Sequence, residues 1–465
     1  MILEILIALI LTIVLGVILY GRWNYGILES MGVPVVKPSL FLGSIPDLHK
    51  KVIHEQDIEF FKKYGPIYGV YEGREPFLYI CDADLVKQVQ VAEFDHFRDR
   101  RRIDLGDAYF NEMMDFLEYE KWKVIRHQLM PALSPAKYKR QKQSLDECLD
   151  RFVANLSKLC GSTKRANIDL RKEAITFNVD FTAIHLYGTN VSNPEDENNF
   201  LRKGASEIMG EAEEFNFLYP LSMSFPILTK LAPSLKSDSI DKWKELITFL
   251  MTERKKSKDP PVGDFLDSLI MLLNKVDTPE FKSLKITDVT VYAQAIVIFL
   301  GGYDTFATAI VFLAYFLAKA PKIQLKLLQE VDAYFTKHET VEYETTSELP
   351  FMSACIMETL RLIPAFRISE RINPDNFDDP EEFKPERFLP ENMGNMKPYA
   401  SAIFGNGPRN CAGQRFAVDF LKIVAARLFK DFRFEISPDT EIKFKTGRMF
   451  MVQYHPIYFD LIKRH

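Results

Sequence analysis

Between a helix start at Thr287-Asp288 and a stop at Ala320-Pro321, the chain runs for about 30 residues with helical apolar spacing. An ordinary globular helix has roughly 11–12 residues, so a buried helix of this length implies one wide domain built around it. Its centre reads Ile296-Val297-Ile298-Phe299-Leu300-Gly301-Gly302-Tyr303-Asp304-Thr305. Buried polar groups cost free energy unless they are satisfied. Two adjacent glycines weaken a helix by about 1 kcal/mol each relative to alanine. The ladder is therefore expected to loosen at Gly301-Gly302 and to admit a small molecule.

The rest of the chain supports a mainly α fold with a minor β component. Helical spacing recurs over 137–159, 237–256, 264–275, 346–362 and 414–430, while 71–81 reads as a hairpin with its turn at Glu72-Gly73-Arg74. Apolar residues at 47% and charged ones at 26% exclude bulk disorder. A net charge of −5 excludes a surface built wholly to grip nucleic acid. A local basic cluster (Lys121, Lys123, Lys137, Lys139, Arg140, Lys142) could still dock an acidic partner or be an ordinary solvated face. Cysteines at 81, 148, 160, 355 and 411 form no C-x-x-C pair, which leaves no disulfide framework or zinc ribbon. No histidine pair has the H-E-x-x-H metal spacing, and no glycine-rich nicotinamide or flavin fingerprint follows a strand.

Residues 5–20 are an apolar run relieved only by Thr12 and Gly16. Some 18–20 helical residues span roughly 27–30 Å, close to a bilayer core. A cleaved signal would need a basic start and a small-x-small site, and neither is present. Arg22 and Lys37 follow the run, so the positive-inside rule leaves the body of the chain in the cytosol. The expected organisation is a transmembrane signal anchor over 1–22, a proline-rich linker over 23–45 and one catalytic domain over 46–465.

The stretch Phe404-Gly405-Asn406-Gly407-Pro408-Arg409-Asn410-Cys411-Ala412-Gly413 is a glycine-rich loop that ends in a cysteine and opens a helix. A thiolate at a helix start is stabilised by backbone N–H groups and the positive end of the dipole. Arg409 adds a cation, and Gly407 and Gly413 let a flat ligand approach the backbone. The residues alone leave a metal ligand, a nucleophile and an inert buried cysteine open.

This loop resembles the haem-binding loop of the cytochrome P450 family, whose F-x-x-G-x-R-x-C-x-G pattern is met by Phe404, Gly407, Arg409, Cys411 and Gly413. Four further segments resemble that family, in its order: Trp122 with Arg126 (W-x-x-x-R), Gly301 to Thr305 (the oxygen-activation motif), Glu358 with Arg361 (E-x-x-R) and Pro385 to Phe388 (P-E-R-F). The resemblance implies a haem b whose iron takes Cys411 as axial ligand, with Trp122, Arg126, Arg371 and Arg409 at the haem carboxylates. It also implies a proton relay through Asp304 and Thr305 and a structural lock of Glu358, Arg361 and Arg387. An i,i+3 pair on a surface would be worth only ~0.2–0.5 kcal/mol, whereas an Arg–Glu–Arg set can be bidentate.

The implied activity is insertion of one oxygen atom from O2 into a lipophilic xenobiotic, steroid or fatty acid. Electrons would come from an NADPH-dependent flavoprotein reductase, with a cytochrome b-type donor as helper, at the endoplasmic reticulum membrane. Segments 95–100 and 367–371 most resemble the drug- and steroid-metabolising clan of animal microsomal members. One feature departs from the family. Arg371 runs directly into Ile372-Asn373-Pro374, where the family has a β-hairpin and a further strand. Removing strands exposes unpaired backbone and apolar surface. The alternatives are thus a catalytically impaired splice or gene-model variant, or a reductase-independent haem-thiolate isomerase or synthase.

Overall fold

The computed structural model describes residues 1–102, 106–133, 135–189, 199–208, 218–231, 237–257, 263–364, 373–437, 440–447 and 452–465. Helix α1 (Ile2–Gly21) is apolar and almost wholly exposed, with a mean hydropathy of 3.1 in its most apolar window, which makes it long and greasy enough to span a bilayer. It meets the body at Gly21, where a Cβ would lie 2.7 Å from Phe41. Residues 23–45, expected as a connector, lie against the body. Leu28, Val36 and Ile45 are buried, and Val35 bridges Gly69. Ser44 Oγ donates to the Val36 carbonyl at 2.6 Å and accepts the Tyr71 N–H at 2.9 Å. Beyond a short helix at Ile27–Ser30, Pro34 and Pro38 keep residues 34–38 out of helix, and the apolar residues around them bury on the hairpin.

After helix α2 (Ile53–Tyr64), strands β1 (Ile67–Glu72) and β2 (Glu75–Ile80) pair antiparallel. Their two-residue turn has Gly73 at φ +58, which the twist of a tight hairpin favours. The chain then builds α3 (Tyr119–Leu129), α4 (Pro135–Cys160), β3 (Arg165–Asp169), α5 (Leu170–Tyr187), α6 (Ser237–Lys256) and α7 (Phe265–Leu273). It continues with α8 (Asp288–Lys319), α9 (Pro321–Phe335), α10 (Pro350–Leu362), α11 (Gln414–Asp431), β4 (Phe432–Glu435) and β5 (Tyr458–Lys463). Strand β5 lies between β3 and β4, antiparallel to both. The fold is mainly helical with small sheets.

Helix α8 is the axis. Its side chains Phe306, Ile310, Phe312 and Leu317 join α4, α5, α10 and α11 in one core, while Ala293, Ile296, Phe299 and Tyr303 join α3, α5, α6 and α7 in a second. A helix that is apolar all round must be covered all round. It runs unbroken through Gly301-Gly302, so the expected loosening of the ladder is absent. The reason lies on α5. Asn178 Nδ2 donates to the carbonyls of both Gly302 and Tyr303 at 2.6 Å. Helix α5 itself starts at Asp169, whose Oδ1 accepts the N–H groups of Arg171 and Lys172 at 3.0 and 3.4 Å.

Candidate functional site

Cys411 closes a loop shaped by its own backbone. The Cys411 N–H donates to the Phe404 carbonyl at 2.7 Å and the Asn410 N–H to the Gly407 carbonyl at 3.1 Å. Gly407 stands at φ +67, and a Cβ there would fall 1.9 Å from the Gln90 carbonyl oxygen. No other residue fits this position. Cys411 is accessible yet surrounded by protein. Burial pushes its thiol up, while the Gly413 N–H and the guanidinium groups of Arg126 and Arg100 act the other way, toward the thiolate. The other four cysteines are buried, and none of the five forms a disulfide.

Three arginines gather beside it. Arg409 stacks on Trp122, its guanidinium carbon 4.2 Å from the ring centre, and donates from Nε to the Arg98 carbonyl and from Nη2 to the Leu117 carbonyl, both at 3.0 Å. Burial first, then Arg100, lower its pKa to about 10. Arg126 donates to the carbonyl of Asn410 at 2.7 Å and to its side-chain oxygen at 2.8 Å. Arg100, which sequence reasoning did not single out, donates to the Arg409 carbonyl at 2.6 Å and to Asp115 at 2.8 Å. Arg371 lies outside the described residues.

On α8 the acid and the alcohol point to different partners. Asp304, 2% exposed, accepts Arg171 Nη2 at 2.6 Å. Thr305 Oγ1 donates to the Gly301 carbonyl at 2.6 Å. A Cβ on Gly301 would meet nothing within 4 Å, so open space faces the middle of an otherwise covered helix. Arg171 and Asn178 carried no sequence signal, because both meet α8 more than 120 residues along the chain. Behind this pair Tyr454 is fully buried under Arg171, and burial pushes its hydroxyl far up.

Glu358, Arg361 and Arg387 come together. Arg361 takes both oxygens of Glu358, at 2.7 and 2.8 Å, and Arg387 Nε reaches one of them at 3.4 Å. The Lys384 N–H donates to the same carboxylate at 2.9 Å, and Arg361 also binds the Pro380 carbonyl at 2.7 Å. Glu358 and Arg361 are completely buried, so this pair is fixed by hydrogen bonds on every side. Within the basic cluster, three of the described lysines are paired. Lys121 binds Glu112 at 2.6 Å, Lys139 pairs with Glu344, and Lys142 pairs with Asp146 and Glu342.

The donor set suits a flat dianionic metal macrocycle. The loop offers a sulfur ligand, guanidinium cations for carboxylates and open space at Gly413, and the long helix has open space at Gly301. Arg409 Nη1 is buried without a hydrogen-bond partner, which is what a carboxylate acceptor would satisfy.

A family model described as Cytochrome P450 matches residues 33–372 and 368–461. Cytochrome P450 3A6 of Oryctolagus cuniculus is 29% identical over 96% of this chain and 94% of its own length. Cytochrome P450 3A9 of Rattus norvegicus is 31% identical over 94% and 92%. Lithocholate 6-beta-hydroxylase of Mesocricetus auratus is 30% identical over 96% and 94%. The alignment with the Oryctolagus protein runs to 481 positions against a chain of 465, so that protein has residues without a counterpart here. The family model matches in two pieces that overlap at 368–372, the place where a hairpin is expected to be missing.

Proposed function

The chain belongs to the cytochrome P450 family, and on that premise we propose how this haem-thiolate monooxygenase uses its residues and on what it acts. The observation that carries the reading is the convergence of Cys411, Trp122, Arg126 and Arg409 around one loop. Cys411 Sγ would hold the haem iron, and the haem would supply the redox centre for transfer of one oxygen atom to substrate. Arg126, Arg409 and Trp122, together with Arg371, would hold its carboxylates. Gly413 leaves open space where a ring could lie, Gly407 lets the loop pack on Gln90, and Phe404 fixes the cysteine through its carbonyl.

Thr305 offers its hydroxyl on the open face of α8, and Asp304 holds a carboxylate one residue away with Arg171 as counter-ion. The pair supplies protons by exchange of Asp304 between Arg171 and the site. Glu358, Arg361 and Arg387 position the segment that leads into the cysteine loop. The substrate is a lipophilic xenobiotic or steroid, a size class supported by the relative named for hydroxylating a bile acid. Electrons come from an NADPH-dependent flavoprotein reductase, with a cytochrome b-type donor as helper. Helix α1 anchors the chain in the endoplasmic reticulum membrane with the body in the cytosol.

A second reading is favoured by the two-part family match, whose parts overlap at 368–372: the chain descends from such an enzyme but holds haem poorly, since Arg371 sits at the overlap. Expression in membranes, with haem per protein, the carbon monoxide difference spectrum and NADPH–reductase turnover measured together, decides between them. Full occupancy, a thiolate-type band lost in Cys411→Ser, and turnover establish the monooxygenase. Low occupancy without the band establishes impairment. A thiolate band that NADPH and reductase leave oxidised points to an isomerase or synthase.

A further inference from the structure

The arginine cradle contains a carboxylate of its own. Asp115 lies on the turn between the short helix Ala108–Asn111 and α3. That turn is anchored. Met113, Met114 and Leu117 are buried, Phe110 and Phe116 pack at 4.7 Å, and the Leu117 carbonyl accepts Arg409 Nη2. From this fixed base the Asp115 carboxylate reaches Arg100 Nη1 at 2.8 Å, while Arg100 Nη2 holds the Arg409 carbonyl at 2.6 Å. Its charge also acts on Arg126, Arg409 and Cys411. Asp99 is different, because it accepts the Tyr119 N–H at 2.6 Å at the start of α3.

An exposed ion pair, here 44% and 57% accessible, adds little to fold stability. Its position among three guanidinium groups gives it another consequence. Arg100 presents a planar fork with both prongs committed. The Arg409 carbonyl is part of the cysteine loop, so the Asp115 side chain is the partner that can move. We infer that Asp115 is a resident counter-ion of the cradle that competes with a haem carboxylate for Arg100 and so weakens the hold of this chain on the group. This rests on the haem reading proposed above.

The test uses the full-length chain in detergent, titrated with haemin and followed by tryptophan quenching and the Soret band. Asp115→Asn should bind haemin about twofold to fivefold more tightly than the unmutated chain, the span that a surface ion pair covers. Asp115→Glu, which keeps the charge, should bind as the unmutated chain does. Haemin dimethyl ester has no free carboxylates and should bind the Asn and unmutated chains equally. Equal or weaker haemin binding by Asp115→Asn overturns the inference, as does a gain that persists with the ester, or failure of both chains to bind. The thiolate spectrum of the unmutated chain judges the haem reading separately, so one can fail while the other stands.

Discussion

Asp304 keeps its charge inside the protein because Arg171 stands 2.6 Å away. Breaking a buried pair by removing one partner costs about 3–5 kcal/mol, mostly because the other charge is left uncompensated. Arg171→Met should therefore lower the urea midpoint strongly, and the double variant Arg171→Met/Asp304→Asn should recover most of the loss. A double variant no more stable than the single one would show that Arg171 acts through packing on Tyr454 instead. His185 on α5 is a second buried ionisable group. Its ring stacks on Phe416 at 4.4 Å, Nδ1 lies 3.1 Å from Gln141, and burial pulls its pKa down to about 4. Between about pH 6.5 and that value the unfolded chain binds a proton that the folded chain refuses, so stability is complete above about 6.5 and falls as pH drops. Between pH 7 and pH 5 the loss is about 2 kcal/mol. His185→Phe should remove that part of the pH dependence in urea melts; an unchanged slope would assign it to other groups.

At the scale of elements, what was legible followed from pattern. The long helix, the hairpin at Gly73 and the helices over 137–159, 237–256 and 414–430 appear where apolar spacing and punctuation placed them. Glu358 and Arg361 were readable as one helix face, and the cysteine loop from its glycines. Helix α5 carried little signal, because it is buried on nearly every side and its polar residues Asn178, Asp180 and His185 are buried too. The pairing of β3 with β5 was equally silent, since no local pattern joins Ile168 to Phe459. These two gaps had a cost at the site. The glycines of α8 looked like a weak point, and only α5 shows why they are not. Asn178→Leu keeps volume but removes the second hydrogen bond that each of the Gly302 and Tyr303 carbonyls accepts besides its helical one, at about 0.5–1.5 kcal/mol each. It should lower stability and loosen α8 locally, read as faster amide exchange at residues 305–307, whose N–H groups those turns hold. Unchanged exchange there would leave the glycine ladder self-supporting.

The whole molecule has two solvents to satisfy. Helix α1 leaves its apolar side chains bare, whereas α8, less apolar but also long enough to span a bilayer, is largely buried by the body. A chain lacking residues 1–32 should leave the membrane fraction on alkaline washing, while the full chain stays; full retention of the shortened chain would place the anchor elsewhere. The other global feature is the two-part family match, whose parts overlap at 368–372. Just beyond it the Asn373 side chain donates to the Cys81 carbonyl at 3.0 Å, which ties the residue following β2 to the segment that starts at Asn373.

The central place of β5 has a consequence for synthesis. It is translated after every helix that packs on its sheet, and its partner β3 lies in the first half of the chain. A nascent chain therefore enters the bilayer through α1 long before that sheet can close. Meanwhile α4 and α5 carry apolar flanks such as Phe152, Leu156 and Phe177 with no strand to cover them. Such late, long-range closure is slow and exposes sticky surface. Tethering at the membrane keeps each unfinished chain apart from its neighbours in the aqueous phase, so the anchor acts as a folding aid before it acts as an address.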